Sequence, residues 1–228
     1  MKVVTWNANM AFRKKQKIIL DTYNPDLLII QECEHPSKFD EIIYPYYLWT
    51  GENKNKGLGI FSKHELEEIN VKPMEYKYNI PFKVKDYTVI GIWAMNDKVN
   101  RKNRYIGQVY NILNKNIELL DENVMIIGDF NWNIIFDENP SYPLSGNLTE
   151  VIESLRNYNI KSAYNRYHRE DFGLEKKPTL FMYRDTNKPY HVDYIFVKDD
   201  IKYKELIIGQ HADWIAHSDH MPIFIDIT

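Results

Sequence analysis

Residues 124–131 read Val-Met-Ile-Ile-Gly-Asp-Phe-Asn, so a short apolar run stops at a flexible residue, a carboxylate and an amide. Four consecutive apolar residues are typical of a strand that is buried on both faces. Sites are commonly built where such strands end at one edge of a sheet. A plain strand-terminating turn is the alternative interpretation of Gly128, Asp129 and Asn131, and these residues alone do not exclude it.

The same pattern, an apolar run that ends in polar residues, recurs near the start of the chain. Asn7 and Asn9 follow the run at residues 2–6, and Glu32 follows the run at residues 27–30. Asparagine is also a common turn residue. Glu32 taken alone is more typical of a helix cap or a surface acid. These residues therefore gain meaning only together with the rest of the pattern.

Two later segments continue the pattern. Asp193 lies within the apolar residues 191–197, where a carboxylate needs a partner if it is buried. Asp219 and His220 directly precede the last apolar run, although a lone histidine is usually structural. The combined set offers oxygen ligands for a hard divalent ion, a carboxylate that can orient water and a histidine that can exchange protons near neutral pH.

The periodicity of the chain predicts a mixed α/β layered domain, because strands outnumber helices. The stretch between residues 57 and 94 has no helical pattern and therefore predicts antiparallel pairing in part of the sheet. No repeat or linker is visible, so we expect a single domain over residues 1–228. Strands are predicted at residues 2–6, 27–30, 57–62, 87–94, 124–127, 180–183, 191–197, 203–208 and 223–227, and helices at 10–23, 104–120 and 148–158.

Composition excludes several classes of protein. The 228 residues are 44% hydrophobic, which is enough for an ordinary core and rules out general disorder. The 29 basic and 32 acidic residues give a net charge of −3, which excludes a generally cationic coat for nucleic acid but leaves a local basic patch open. Cys33 is the one cysteine, so no internal disulfide is expected. We expect a cytoplasmic protein with no membrane span and no obligate protein partner, since no signal-peptide pattern and no run of about 20 apolar residues occurs.

Five motifs occur in a fixed order from residue 6 to residue 222, and together they cover most of the chain. They are Trp6-Asn7, Gln31-Glu32, Gly128-Asp129-Phe130-Asn131, His191-Val192-Asp193-Tyr194-Ile195 and Ser218-Asp219-His220-Met221-Pro222. Each motif is weak alone, but the ordered set resembles the endonuclease/exonuclease/phosphatase superfamily, which includes deoxyribonuclease I, exonuclease III and the inositol polyphosphate phosphatases. The resemblance implies a four-layered α/β sandwich with two central mixed β-sheets and a site at their shared edge.

The resemblance also implies a metal site. Glu32 matches the main carboxylate ligand of Mg²⁺ or Mn²⁺, with Asn7 and Asp219 near the metal. Oxygen ligands in an incomplete protein shell suit Mg²⁺, which keeps waters and accepts phosphate oxygens from a substrate.

The remaining matched residues imply how a phosphoester would be hydrolysed. Asp129 resembles the residue that orients or deprotonates the attacking water, and Asn131 lies where its amide can donate to the phosphate. His220 resembles the essential histidine and would be held by Asp193, whose charge favours the protonated, phosphate-binding form of the imidazole. The expected catalytic set is therefore Asp129, Asn131, His220 and Asp193, acting by electrostatic stabilisation of the transition state.

Four further positions are candidate substrate-binding residues, and three of them depart from the family. Trp93 stands where relatives usually present a histidine or tyrosine to the phosphate, and an indole cannot transfer a proton. Tyr105 or a metal-bound water is the expected substitute. Asn9 replaces an aspartate of some relatives, and His191 replaces an arginine that often lies two residues before Asp193.

We expect a metal-dependent phosphodiester hydrolase, most simply a nuclease acting on DNA or RNA. Basic residues at 13–17 and 98–104 could follow a nucleic-acid backbone, and Phe181, Tyr183 and Trp214 could stack on bases, although charge runs are usually solvated and aromatic residues are usually buried.

Other interpretations stay open at this point. One is a phosphatase or phosphodiesterase acting on a small or lipid-linked phosphate ester. An inactive binding module is less favoured, because the motifs keep their functional atoms. Zinc bound by His211, His217 and His220 is also less favoured, because the usual zinc spacings are missing.

Overall fold

A computed structural model describes residues 1–69 and 78–228 of the chain. The described strands form two six-stranded sheets and a two-stranded ribbon. Sheet one contains, in spatial order, β13 (Tyr203–Ile208), β14 (Ile223–Ile227), β1 (Lys2–Asn7), β2 (Leu27–Cys33), β4 (Lys56–Ser62) and β3 (Tyr46–Asn53). Sheet two contains β5 (Glu67–Glu68), β6 (Asn79–Val84), β7 (Tyr87–Trp93), β8 (Val124–Asp129), β12 (Asp193–Lys198) and β9 (Ile160–Ser162), and the ribbon pairs β10 (Leu180–Phe181) with β11 (Pro189–Tyr190).

Both sheets are mixed and have the same arrangement of parallel and antiparallel pairs. Each has one parallel pair, β1 with β2 and β7 with β8, and its other described pairs are antiparallel. A helix connects the strands of each parallel pair, as a parallel crossover requires. The helices are α1 (Gln16–Tyr23), α2 (Ile106–Lys115), α3 (Leu148–Asn157), α4 (Ala163–His168) and α5 (His211–Trp214).

The two sheets pack face to face. A Cβ added to Gly91 of β7 would lie 3.0 Å from Cδ1 of Ile60 in β4, which shows how closely the sheets approach. Helices α2 and α3 cover the outer face of sheet two through a second apolar cluster, in which Val109 and Leu155 are buried. Helix α1 lies against sheet one, where the Tyr23 ring stacks on Phe224 with centroids 5.3 Å apart. The predicted four-layered α/β sandwich is therefore confirmed.

Several predicted elements end earlier or begin later in the structure. The helix expected from residue 10 begins at Gln16, because Met10 and Ala11 have left-handed backbone angles. The helix expected to reach residue 120 ends at Lys115, because the side-chain amide of the next residue, Asn116, donates to the Ile112 carbonyl at 2.7 Å and so competes with the helix. A 3₁₀ helix continues at Ile117–Asp121.

The strand expected at residues 180–183 is also shorter, since Tyr183 and Arg184 have φ angles of 59° and 60°. Strands β13 and β14 have their predicted limits. Pairing of β6 with β7 confirms antiparallel structure between residues 57 and 94, of which residues 70–77 lie outside the described part. No helix in the described part of the chain has the length and hydropathy needed to cross a bilayer.

Candidate active site

Functional side chains from both sheets meet at one edge of the sandwich. Asn7 and Gln31 are paired at the ends of β1 and β2, and Trp93 and Asp129 are paired at the ends of β7 and β8. The antiparallel strand β12 starts at the same edge, where Asp193 pairs with Asp129. Parallel strands thus bring polar residues that are far apart in sequence to one place.

A direct hydrogen bond joins the two sheets at this edge. Nδ2 of Asn7 donates to Oδ2 of Asp129 at 3.0 Å, and both side chains are buried. The hydrogen bond makes the edge a single polar site and holds the carboxylate in a fixed orientation.

The centre of the site is a cluster of Asp129, Asp193 and His220. Among the described residues, these three offer ligand atoms that all lie within 4.8 Å of one another. Nδ1 of His220 lies 2.9 Å from Oδ2 of Asp193, and both side chains are almost fully buried. Oδ1 of Asp193 has no hydrogen-bond partner although it is buried, which is unusual for a carboxylate and marks a site rather than a structural contact.

The electrostatics of this cluster separate two roles. Burial raises the pKa of Asp129 to about 7, and the charge of Asp193 acts in the same direction. Burial by itself lowers the pKa of His220, but the charges of Asp193 and Asp129 and the hydrogen bond that the ring donates to Asp193 outweigh it and raise the pKa to about 10. Near neutral pH the imidazole is therefore a cation, while the Asp129 carboxyl can both accept and release a proton.

His220 is held in place by contacts with the first strand. Its backbone N–H donates to Oγ of Ser218 at 3.0 Å, and that hydroxyl donates to the Asn7 carbonyl at 2.7 Å. Nε1 of Trp6 donates to the His220 carbonyl at 2.9 Å. The loop that carries the histidine is thus fixed to the end of β1.

The turn after β8 directs Asn131 toward Asp129. The backbone N–H of Asn131 donates to Oδ1 of Asp129 at 2.8 Å, and its Nδ2 donates to the Ala94 carbonyl at 3.1 Å. Gly128 makes the approach possible, because it has a φ of +149° and a Cβ there would lie 1.9 Å from the Ile92 carbonyl oxygen. The Gly-Asp-Phe-Asn segment is therefore a strand end built around the carboxylate rather than a simple turn.

Of the residues expected to bind a metal, Asn7 and Asp219 belong to the same hydrogen-bond network, and Glu32 follows Gln31 at the end of β2. Nδ2 of Asn9 donates to Oδ1 of Asp219 at 2.6 Å, and the Asn9 N–H donates to Oδ1 of Asn7 at 3.0 Å. Glu32 has a φ of 56° and lies at an irregularity between Gln31 and Cys33 where β2 pairs with β4. Its carboxylate is 20% exposed and contacts Nζ of Lys56 at 3.0 Å.

The donors at this edge fit a hard divalent cation. Glu32 and Asp219 supply carboxylate oxygens, and Asn7 supplies an amide oxygen, which are the donors that Mg²⁺ and Mn²⁺ prefer. The raised pKa of His220 keeps its imidazole protonated, and a protonated ring does not bind a metal. His211 and His217 pack against Phe181 and Trp214 instead, so the described residues contain no cluster of the three histidines.

The candidate substrate-binding residues Trp93, Tyr105 and His191 lie in different surroundings. Trp93 is buried, and Nζ of Lys56 lies 5.0 Å from the centroid of its ring. Tyr105, with a φ of 48°, precedes α2, and its N–H donates to the Met95 carbonyl at 2.9 Å. The His191 ring is buried between tyrosines with Nδ1 2.9 Å from the Lys177 carbonyl, so it packs beside the site and not within the carboxylate cluster.

Sequence reasoning missed two lysines near the site. Lys15, expected to follow a backbone, instead donates to the Ala8 and His217 carbonyls at 2.6 Å and so ties helix α1 to both site loops. Lys56 lies directly beside Glu32, but in the sequence it is one of several lysines in a polar turn. Only the pairing of β2 with β4 could have revealed its position.

The chain matches one protein family and several solved structures. The model of the endonuclease/exonuclease/phosphatase family matches residues 4–220. No curated protein sequence matches the chain.

Three solved structures have the same fold. Each match covers 100% of this chain and 99% of the chain of the solved structure. A 3′–5′ exonuclease from Neisseria meningitidis has a TM-score of 0.78 and 19% identity. A 3′ phosphatase from Neisseria bound to a product DNA hairpin has a TM-score of 0.75 and 19% identity. An AP endonuclease from Archaeoglobus fulgidus has a TM-score of 0.74 and 17% identity.

Proposed function

Since the chain belongs to the endonuclease/exonuclease/phosphatase family, we propose that it is a divalent-metal-dependent phosphodiester hydrolase that acts on nucleic acid. Family membership gives phosphoester hydrolysis as the class of reaction. The single observation that carries the proposal is the buried cluster of Asp129, Asp193 and His220, in which a carboxyl of raised pKa lies beside a histidine cation. Hydrolysis of a phosphate ester needs both a proton acceptor for water and a positive charge for the phosphate.

We assign the reaction steps to this chain's own residues. Asp129, oriented by Asn7, accepts the proton of the attacking water, whose oxygen bonds to phosphorus as the P–O bond to the leaving group breaks. The departing oxygen takes up a proton from water. His220 donates hydrogen bonds to the phosphate as a cation, while Asp193 holds its ring and balances its charge. Nδ2 of Asn131 donates to the phosphate in place of one of its two acceptors, the Ala94 carbonyl and Oδ2 of Asp129. His220 and Asn131 thus act where negative charge develops in the transition state.

Glu32, Asn7 and Asp219 would hold Mg²⁺ or Mn²⁺. The metal would supply a Lewis acid for the phosphate oxygens. Its binding would also offset the negative charge that the four carboxylates of Glu32, Asp129, Asp193 and Asp219 concentrate at one edge.

A polymeric substrate is supported by a surface next to the site. The segment after β7 contains Arg101 and Arg104, whose guanidinium groups lie 4.7 and 5.3 Å from the centroid of the Tyr142 ring. On the ribbon side, Tyr183 is 81% exposed beside Lys188. Cations interleaved with exposed aromatic rings are typical of nucleic-acid contacts. The 3′ phosphatase from Neisseria, whose fold this chain shares, is bound to a product DNA hairpin.

The test is a hydrolysis panel of single-stranded DNA, duplex DNA with and without an abasic site, 3′-phosphorylated DNA, RNA and bis-p-nitrophenyl phosphate. Each substrate is incubated with Mg²⁺, Mn²⁺ or EDTA, beside His220→Gln. We expect metal-dependent cleavage of at least one polymer that weakens steeply with salt and is lost in the variant. Salt-insensitive turnover of the small diester alone would replace the nucleic-acid substrate with a small phosphate ester. No turnover of any substrate would overturn the proposal.

A further inference from the structure

Lys56 occupies an unusual position between the two halves of the site. Its ammonium group lies 3.0 Å from Oε1 of Glu32 in sheet one and 5.0 Å from the centroid of the Trp93 ring in sheet two. Thus a single cation contacts the expected metal ligand and also the residue that stands where relatives have a histidine or tyrosine.

The fold fixes the backbone of Lys56 but leaves its ammonium group accessible. Gly57, the next residue, pairs with Cys33 across β4 and β2, and Nε1 of Trp49 donates to the Cys33 carbonyl at 3.1 Å. The Lys56 side chain is 36% exposed. An ion pair of this exposure contributes little to stability, so structural need does not account for it.

The indole of Trp93 explains how the cation is held. Tryptophan has the strongest attraction of the aromatic side chains for an ammonium group above its face. The ring is buried and packs against Tyr78 with centroids 4.9 Å apart, so it is a fixed platform. Trp93 cannot transfer a proton, but it can position a neighbouring charge.

We propose that Lys56 is a substrate-binding residue of this site and that its ammonium group contacts the phosphate of the substrate from the face of Trp93. The ammonium and a divalent cation compete for the Glu32 carboxylate, because their charges repel each other. With a divalent cation on Glu32, the Lys56 ammonium group would be free to contact the phosphate. This inference rests on the proposed function, since it needs a phosphate at the site.

The test combines a metal titration with steady-state kinetics. Calorimetric titration of metal-free protein with Mn²⁺ is done for the wild type, Lys56→Gln and Lys56→Arg, with Lys54→Gln as a matched control two residues away on the exposed turn. We expect Lys56→Gln to bind Mn²⁺ about 3- to 10-fold more tightly, because the competing cation is gone. Its kcat/KM on the substrate identified in the panel should fall about 10- to 100-fold. Lys56→Arg should recover most of the kcat/KM, and Lys54→Gln should match the wild type.

Two results would overturn the inference. One is unchanged Mn²⁺ affinity in Lys56→Gln, and the other is an unchanged kcat/KM in that variant. If the wild type hydrolyses nothing, the proposed function fails and the substrate contact fails with it. The Mn²⁺ titration would then still decide whether Lys56 competes with metal at Glu32.

Discussion

The two sheets contain the same strand–helix–strand unit, but the units end in chemically different ways. The unit of β1, α1 and β2 ends at Asn7 and Glu32, and its carboxylate is 20% exposed and paired with a lysine. The unit of β7, α2 and β8 ends at Trp93 and Asp129, and its carboxylate is fully buried. Burial, more than residue type, therefore gives the two carboxylates different properties.

This difference in burial implies that the carboxylates of the two sheets have different chemical roles. An accessible carboxylate keeps an ordinary affinity for cations and can exchange a lysine for a metal. Burial disfavours the charged form of a carboxylate and raises its pKa, so the buried carboxylate can accept a proton near neutral pH. A substitution at Glu32 should therefore change metal affinity but not proton acceptance, and a substitution at Asp129 should do the reverse.

The largest expected effect is the loss of activity in Asp129→Asn. Removing the proton acceptor should lower kcat by about 10²- to 10⁴-fold without weakening Mn²⁺ binding by more than about 3-fold. Single-turnover hydrolysis and calorimetry of the same samples measure the two quantities. A variant with near wild-type kcat would show that the buried carboxylate is not the base.

The same variant should be more stable than the wild type when metal is absent. A carboxyl whose pKa is raised in the folded state stabilises the fold below its unfolded pKa and loses that contribution as pH rises through about 7. In EDTA, the wild type should therefore lose more stability between pH 5 and pH 8 than Asp129→Asn, in which only the contribution of His220 still changes with pH. Urea unfolding at both pH values measures the difference, which we expect to be about 1–3 kcal/mol at pH 8.

Glu32→Gln tests the exposed unit and should have the next largest effect. We expect the affinity for Mn²⁺ to fall about 10- to 100-fold, with activity partly recovered at high metal concentration. The free energy of unfolding should change by less than about 1 kcal/mol, because the pair with Lys56 is partly exposed. Glu153→Gln, on helix α3, is the control of matched chemistry. Unchanged metal affinity would remove Glu32 from the metal site.

The smallest expected effect is the change in the free energy of unfolding with pH that the titration of His220 causes. The raised pKa of the imidazole gives stability that is complete below about pH 6.5 and is lost as pH rises through about 10. In EDTA, the wild type should lose about 2 kcal/mol between pH 7.5 and pH 9, and His220→Gln should lose less, because only the Asp129 carboxyl remains to titrate in the cluster. Equal slopes in the two proteins would show that the histidine is not protonated in the folded state.

The sequence was sufficient to predict those parts of the molecule that depend on local pattern. Apolar runs located most of the buried strands, and the ordered motifs located Asn7, Asp129 and His220 at one edge. The strand β3 was missed, because its half-exposed residues show neither a continuous apolar run nor a clear turn signal. The end of α2 at Lys115 was missed, since the apolar stripe continues through the following 3₁₀ helix.

Non-local contacts account for the rest of the site. Lys56 meets Glu32 because β4 pairs with β2, and it meets Trp93 because the two sheets face each other. His191 looked equivalent to a substrate-binding arginine, but its ring is enclosed by tyrosines from α4 and β12. No spacing along the chain encodes such contacts.

The attachment of His220 to the first strand has a consequence for biosynthesis. Ser218 and His220 bind the end of β1 across more than 200 residues of chain, and β14 completes the sheet between β1 and β13. Closing so long a loop is slow relative to local folding. A ribosome that has not yet translated residues 218–227 therefore carries a chain without its histidine cation. A phosphoester hydrolase assembled in this order would remain inert until residues 218–227 have been translated.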